Sequence, residues 1–260
     1  MHHHHRRLPG NVFSRPGAVL RGCQTIALRL LLTAASACLA QEAEPGFTSL
    51  FNGTDLTGWA GRPQHWSVED GAITGRTTKE HPAQGNNFLF WTNGIVKDFE
   101  LRAAFKITSQ NDAHFSNSGI QYRSKDFGNF VAGGYQADME VGTTYTGILY
   151  EERMRGILAQ RGQMVWIQPD GKKRVVGSLG SSADILKAIK ADDWNEYVII
   201  ARGNHLTHII NGRVTVDVTD DETGKNQGAR EGILALQLHA GGPMTVQFKN
   251  IRLRVLEEAK

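Results

Sequence analysis

The chain has 260 residues, 29 of them Lys or Arg and 26 Asp or Glu, for a formal net charge of +3, and an all-β sandwich commonly uses about 200–250 residues as one domain. The first forty residues hold Arg6, Arg7, Arg15, Arg21 and Arg29 and no acidic residue, so the rest carries 24 basic against 26 acidic side chains, near −2. That balance gives no basis for a nucleic-acid partner, and with Cys23 and Cys38 both in the leader the rest has no thiolate nucleophile, disulfide framework or thiolate zinc site.

From the N-terminus, a basic stretch is followed by the apolar run Ile26 to Ala40, which ends in small residues. These are the parts of a secretory signal, and the run is short and interrupted for a bilayer span. Residues 1–40 are therefore expected to be a signal peptide cleaved near Ala40, placing the protein in the periplasm or outside the cell. Cleavage before Cys38 in Ala35-Ser-Ala-Cys38 would instead leave a lipid-anchored chain. His2 to His5 would be lost with the leader and are given no function. Residues 41–46 read as a linker and 47–257 as one domain.

Within that domain short strands alternate with turn signals. They are expected at 48–51, 66–69, 72–76, 88–91, 99–108, 119–123, 135–141, 147–150, 164–168, 174–176, 196–202, 205–210, 214–218, 233–238 and 245–255. Asp70-Gly71, Asp170-Gly171, Gly203-Asn204, Asn211-Gly212 and Gly241-Gly242 mark turns, and Asn-Gly or Asp-Gly between alternating runs favours two-residue hairpins. Phe99, Leu101, Ala103, Phe105 and Ile107 alternate with Glu100, Arg102 and Lys106, one packed face against one polar face. Only 183–191 has helical spacing, and no glycine-rich phosphate loop follows a strand. The fold class is all-β, a jelly-roll β-sandwich of two antiparallel sheets.

The chemistry-bearing residues fall in four segments. In Gly133 to Val141, Gln136, Asp138 and Glu140 share one strand face while Ala137, Met139 and Val141 pack behind. The bland alternative is a solvated sheet face. The stripe invites comparison with the Glu-x-Asp-x-Glu strand of laminarinase-like β-glucanases, whose retaining chemistry needs two carboxyls about 5–5.5 Å apart. Gln136 stands at the first position and supplies neither nucleophile nor acid, although Asp138 and Glu140 could still serve as base and acid. In Asn117 to Arg123, Gln121 and Arg123 share a face, and Arg123 could polarise a carbonyl oxygen or make a structural ion pair. Thr146 to Arg153, with Tyr150 and Glu152, suits the rim of a sugar site or a solvated loop. In Leu234 to Pro243, Gln237 and His239 share a face, and an imidazole can shuttle a proton, ligate a metal or simply hold structure. His205 and His208 have opposite parity and fit a shared metal poorly.

The order of motifs resembles the 3-keto-disaccharide hydrolase domain family, a former family of unknown function. The resemblance rests on Phe47 to Trp59 (FTSLFNGTDLTGW), Trp66 to Ile73, Asn117 to Arg123, Gly134-Tyr-Gln136, Trp194-Asn-Glu-Tyr197, Asn211-Gly212 and Val246 to Ile251. It implies a concanavalin A-like sandwich and an exported enzyme that cleaves glycosides oxidised at C3. A C3 ketone acidifies the hydrogen on C2, so a modest base can remove it and expel the anomeric oxygen; water addition then gives net hydrolysis. This route needs a base, an acid and a stabiliser for the enolate, and no nucleophilic carboxylate, which accommodates Gln136. The roles expected on this resemblance are Asp138 or Glu140 as base and acid, His239 as proton shuttle or metal ligand, and Arg123 as enolate stabiliser. Gln136, Gln121, Tyr150, Gln237 and Glu152 would bind substrate. Where the family has Asp-His, this chain has Leu238-His239. No cofactor is required, although carboxylate and amide oxygens are suitable ligands for a divalent cation such as calcium. The expected partner is a glycoside or oligosaccharide. The competing readings are a non-catalytic carbohydrate-binding module and a β-glucanase-like hydrolase.

Overall fold

The computed structural model describes residues 44–257; the expected signal peptide, its cleavage site and the alternative anchor at Cys38 lie outside them. The strands are β1 (Thr48–Ser49), β2 (Trp59–Ala60), β3 (Trp66–Glu69), β4 (Ala72–Thr77), β5 (Asn87–Trp91), β6 (Phe99–Ser109), β7 (Asn117–Asp126), β8 (Ala132–Glu140) and β9 (Leu149–Glu152), followed by β10 (Gly156–Ala159), β11 (Gln163–Ile167) and β12 (Lys173–Ser178). After the helix α1 (Ser182–Leu186) come β13 (Asn195–Arg202), β14 (His205–Ile210), β15 (Arg213–Asp220), β16 (Ile233–Leu238) and β17 (Met244–Val255). Among the described residues no helix is long and apolar enough to cross a membrane.

Two sheets carry these strands. A ten-stranded sheet runs β12-β11-β15-β14-β13-β6-β17-β4-β3, with β1 also on β17, and a seven-stranded sheet runs β10-β9-β8-β7-β16-β5-β2. All pairings are antiparallel except β11 with β15, which is parallel, so the two sheets form the expected antiparallel sandwich with one parallel pair inside it. The alternating side chains close the main core between the sheets, where Phe99, Leu101, Phe105, Val246 and Phe248 meet Ile120, Tyr122, Tyr135, Met139, Leu236 and Leu238; a smaller cluster joins Phe88, Ala132 and Ala235. Burying one such large apolar side chain contributes about 1.5–3 kcal/mol.

The hairpin signals act as their chemistry dictates. Asp70 and Gly71 both have positive φ, 50° and 73°, as do Asn211 and Gly212, 49° and 77°, the pair of left-handed residues a type I′ turn requires. The helix is shorter than the spacing over 183–191 suggests. It spans Ser182–Leu186, is capped by Ser181 accepting from the Asp184 amide, and buries only Ile185. The folded body reaches back into the expected linker, because Glu44 bridges Arg102 at 2.6 Å and Arg252 at 3.0 Å.

Candidate active site on the seven-stranded sheet

The outer face of the seven-stranded sheet is set by parity. On β8, Tyr135, Ala137 and Met139 enter the core, so Gln136 and Asp138 turn outward. On β16, Leu234, Leu236 and Leu238 enter the core, which sends Gln237 and the following His239 to the same side. The in-register pairs Asn117 with Glu140, Gly119 with Asp138 and Gln121 with Gln136 bring β7 alongside. The result is a cavity of about 310 Å³ lined by Asp138, His239, Gln136, Gln237, Tyr150 and Glu152. Asn86, Phe115, Asn117, Tyr145 and Ile157 complete the wall.

An ordered relay of amides holds the carboxyls in place. Ser124 Oγ donates to Gln121 Oε1 at 2.7 Å, and Gln121 Nε2 donates to Gln136 Oε1 at 2.5 Å. Gln136 Nε2 then donates to Asp138 Oδ1 at 3.1 Å and to Gln237 Oε1 at 3.3 Å. Gln237 Nε2 donates to Glu152 Oε2 at 3.4 Å, while Asn86 Nδ2 donates to Glu152 Oε1 at 3.3 Å. Each amide is oriented by the one before it, so the direction of donation is fixed along the chain. Gly119 makes room for this: a Cβ there would lie 2.4 Å from Gln136 Cγ.

Asp138 is 4% exposed. Asn117 Nδ2 at 3.1 Å, Gln136 Nε2 at 3.1 Å and the Met139 amide at 3.2 Å all donate to its Oδ1; Oδ2 takes none of the three. Burial pushes its carboxyl up to about 8, outweighing those hydrogen bonds, which favour the anion; the nearby Glu140 carboxyl adds to the rise. Burial thus favours the protonated form of Asp138. His239 sits at the rim. Its Nδ1 lies 2.5 Å from the Ala240 carbonyl oxygen, and because a carbonyl only accepts, Nδ1 carries a proton and Nε2 is the nitrogen without that bond. The edge of Phe115 packs on this ring at 5.6 Å and 82°, and Phe115 itself is 40% exposed.

Three expected residues lie elsewhere. Arg123 is 1% exposed and donates to the Lys97 carbonyl at 2.6 Å, the Gly203 carbonyl at 2.6 Å and Asp98 at 2.8 Å. Its strand bulges here: Tyr122 pairs with Tyr135 but Lys125 with Gly133, so β7 carries one extra residue, and Arg123 adopts φ +47°. The bulge breaks the parity that would have aligned Arg123 with Gln121, and the guanidinium ties this sheet to the loops of the other. It is a structural ion pair and no enolate stabiliser. Glu140, at the end of β8, turns away from the cavity; its Oε1 accepts from the amides of Thr144 and Tyr145, the latter at 2.6 Å. It shapes the turn that presents Tyr145 to the cavity instead of acting as acid or base. Gln121 is fully buried behind Gln136 and orients that amide without lining the cavity.

Asn86, Phe115 and Tyr145 are cavity residues that the sequence pattern does not single out, because all three lie on connections where strand parity has no say. Among the described residues no group of three or more His, Cys, Asp and Glu side chains has metal-holding geometry. His208, fully buried, bonds the hydroxyls of Tyr122 at 2.9 Å and Tyr197 at 3.3 Å, and exposed His205 pairs with Asp217. Neither belongs to the cavity.

Comparison with solved structures places the fold. The chain superposes on a crystal structure from Parabacteroides distasonis, provisionally described as a glycosyl hydrolase, with TM-score 0.51 and 18% identity over 82% of this chain and 94% of that one. It superposes on a Bacillus subtilis protein of unknown function with a galectin-like fold with TM-score 0.50 and 11% identity over 78% and 92%. At such identities the likeness is one of fold. No curated protein matches the sequence. The family model described as 3-keto-alpha-glucoside-1,2-lyase-like domain matches residues 46–254, nearly the whole described body and every residue of the cavity. The chain is a member of that carbohydrate-related domain family.

Proposed function

We propose that the protein is an exported enzyme that cleaves glycosides carrying a ketone at C3, by acid/base elimination at the cavity of Asp138 and His239. The observation that carries the reading is the convergence, in one hollow, of the buried Asp138 carboxyl, whose burial favours its protonated form, and the His239 imidazole. Elimination needs that complementary pair, and pairs of titratable groups driven apart by their environments mark acid and base.

In this reading His239 Nε2 removes the proton from C2, whose acidity the neighbouring ketone supplies. The electron pair moves into the C2–C3 bond as an enolate, then to C1–C2 as the bond from C1 to the glycosidic oxygen breaks. Asp138 gives its Oδ2 proton to the departing oxygen. The products are an unsaturated 3-keto sugar and the free aglycone alcohol; water addition to the former completes a net hydrolysis. Gln136, Gln237, Tyr150 and Glu152 would hold the sugar hydroxyls, and Phe115 offers an apolar surface for a ring face. The relay of amides keeps these groups from reorganising during the reaction.

A binder of the same shape would need only the amides and aromatics. Incubating the purified protein with a 3-keto-glucoside and following release of the aglycone separates the two. Turnover that is lost in His239→Ala is expected; unchanged 3-keto-glucoside with sugar binding intact would assign the cavity to recognition alone. Cleavage of laminarin would point instead to direct hydrolysis of unoxidised glucan.

A further inference from the structure

A hollow of about 190 Å³ lies between the turn that follows β8 and the stretch running from α1 to β13. Its walls are largely apolar, with Phe105 and Ile107 from β6, Val141 from the turn, and Leu186 and Ile189 from the helical stretch. It shares no described residue with the cavity of Asp138. The turn stands between the two, with Thr143 and Thr146 on the hollow and Tyr145 on the cavity.

One buried charge lines these apolar walls. Glu140 is 8% exposed, and its Oε1 accepts from the amides of Thr144 and Tyr145. Among the described residues its Oε2 accepts no hydrogen bond, and no Lys, Arg or His bridges the carboxylate. Arg161, whose guanidinium feels the charge of Glu140, spends its nitrogens on the carbonyls of Thr146 and Thr143 at 2.5 Å each and of Ser182 at 3.2 Å. A carboxylate withdrawn from water is costly unless a cation or further donors meet it. Asp192 and Asp193 stand exposed on the same hollow, against one ammonium, that of Lys190. The lining thus carries three carboxylates to one cation.

We infer that this hollow is a binding site for a small organic ammonium ion, with its hydrocarbon part against the apolar walls and its nitrogen on Glu140 Oε2. A dry cavity of about 150 Å³ accepts a benzene ring, so a hollow of about 190 Å³ holds a six-membered ring bearing one aminomethyl group. A hydrated metal ion would leave the apolar walls against water, whereas the hydrocarbon part of an amine covers them. None of the groups assigned to acid/base chemistry takes part.

Titrating benzylammonium into protein carrying ¹³C-labelled isoleucine methyls tests this. Ile107 and Ile189 line the hollow and Ile157 lines the cavity of Asp138, so their shifts report which of the two is filled. Ile107 and Ile189 should move together while Ile157 stays. Glu140→Gln keeps a carbonyl oxygen for the two turn amides and removes the charge. It should weaken benzylammonium by about tenfold or more, the loss expected of a charge-assisted bond, and leave benzyl alcohol within about twofold. Should that variant not fold, the wild type decides: the amine should bind about tenfold more tightly than the alcohol, and phenylacetate, of opposite charge, should not bind. Asp193→Asn, at an exposed position, should cost only about two- to threefold because water screens it. A shift of Ile157 alone, equal affinity for amine and alcohol, or no shift at about 10 mM amine would overturn the site.

Discussion

The two sheets present polar outer faces that obey the same alternation and are built from opposite chemistry. On the ten-stranded sheet, Arg102, Arg252 and Arg254 interleave with Glu44, Glu100 and Glu196 in bridges of 2.5–3.0 Å. Several partners there stay wet, with Arg254 40% and Glu196 46% exposed. On the seven-stranded sheet, Gln121, Gln136, Asp138 and Gln237 are 0–4% exposed and bond one another through amides. Full charges at a surface are screened by water, and most of this ladder stays in contact with it, Glu100 at 8% exposure being the buried member. Neutral amides can be buried when each donor finds an acceptor, and the burial raises the proton affinity of Asp138 by more than the amides' own hydrogen bonds lower it. What separates a site from a skin is the side-chain type within the alternating pattern, since the pattern itself is shared.

The largest effect expected of this difference is on turnover. Asp138→Asn keeps the shape and accepts the same hydrogen bonds but has no proton of comparable acidity to give. It should lower kcat for a 3-keto-glucoside by about 10²–10⁴-fold, the range for loss of a general acid, with substrate binding preserved. A variant with more than a tenth of wild-type kcat would remove Asp138 from the chemistry.

The next effect is on stability against pH, and it too belongs to the buried face. Asp138 has an ordinary pKa of 3.8 and one near 8 when folded. The folded state therefore holds a proton that the unfolded chain releases. The stabilisation is complete below about pH 4 and is lost as pH rises to 8, at up to about 1.4 kcal/mol per pH unit. His208 has the opposite sign, because burial pushes its imidazole from 6.5 down to about 3. Its contribution is present above pH 6.5 and is lost as pH falls toward 3. Urea titrations of wild type and Asp138→Asn at pH 5, 7 and 9 isolate the first group: the variant should gain on the wild type from each pH to the next up to about 8. A constant difference would mean that Asp138 ionises normally.

Gly119→Ala probes the relay without touching an acid or base. The added Cβ meets Gln136 at 2.4 Å, and the amide must leave its place between Gln121 and Asp138. Overpacking of this kind costs roughly 1–3 kcal/mol, and kcat should fall with it. Unchanged kcat in a destabilised protein would show that the relay has no part in positioning Asp138.

The fold was legible because it rests on local rules: the core residues alternate, the Asp-Gly and Asn-Gly pairs turn, and both sheets follow. Which side chains share the candidate cavity was legible where they lie on regular strands, as Gln136, Asp138 and Gln237 do, and His239 one step beyond. It was illegible where a single residue breaks the count. The bulge at Arg123 sends a plausible catalytic cation into an ion pair with Asp98, and Glu140 is claimed by two amides of the next turn. Asn86, Phe115 and Tyr145 reach the cavity from connections, whose courses depend on packing that periodicity does not encode. The parallel pairing of β11 with β15 escaped for the same reason: the partner is set by the path between the strands and not by either strand's pattern.

The smallest effect should come from the other face, and it sharpens the contrast most directly. Arg252 bridges Glu44 and Glu196 at 3.0 and 2.8 Å, with those carboxylates 38% and 46% exposed. Arg252→Ala removes two hydrated bridges and frees both partners to water, so unfolding free energy should change by about 0–1 kcal/mol and kcat by less than about twofold. The residual loss should shrink as salt is raised from about 0.05 to 0.5 M, since the Debye length shortens to roughly 4 Å. A loss above 2 kcal/mol that is insensitive to salt would mean that Arg252 acts through buried packing on Phe47, whose ring lies 5.8 Å from its guanidinium carbon. The ten-stranded face would then be a second buried polar layer, and the distinction drawn between the two sheets would have to rest on something other than hydration.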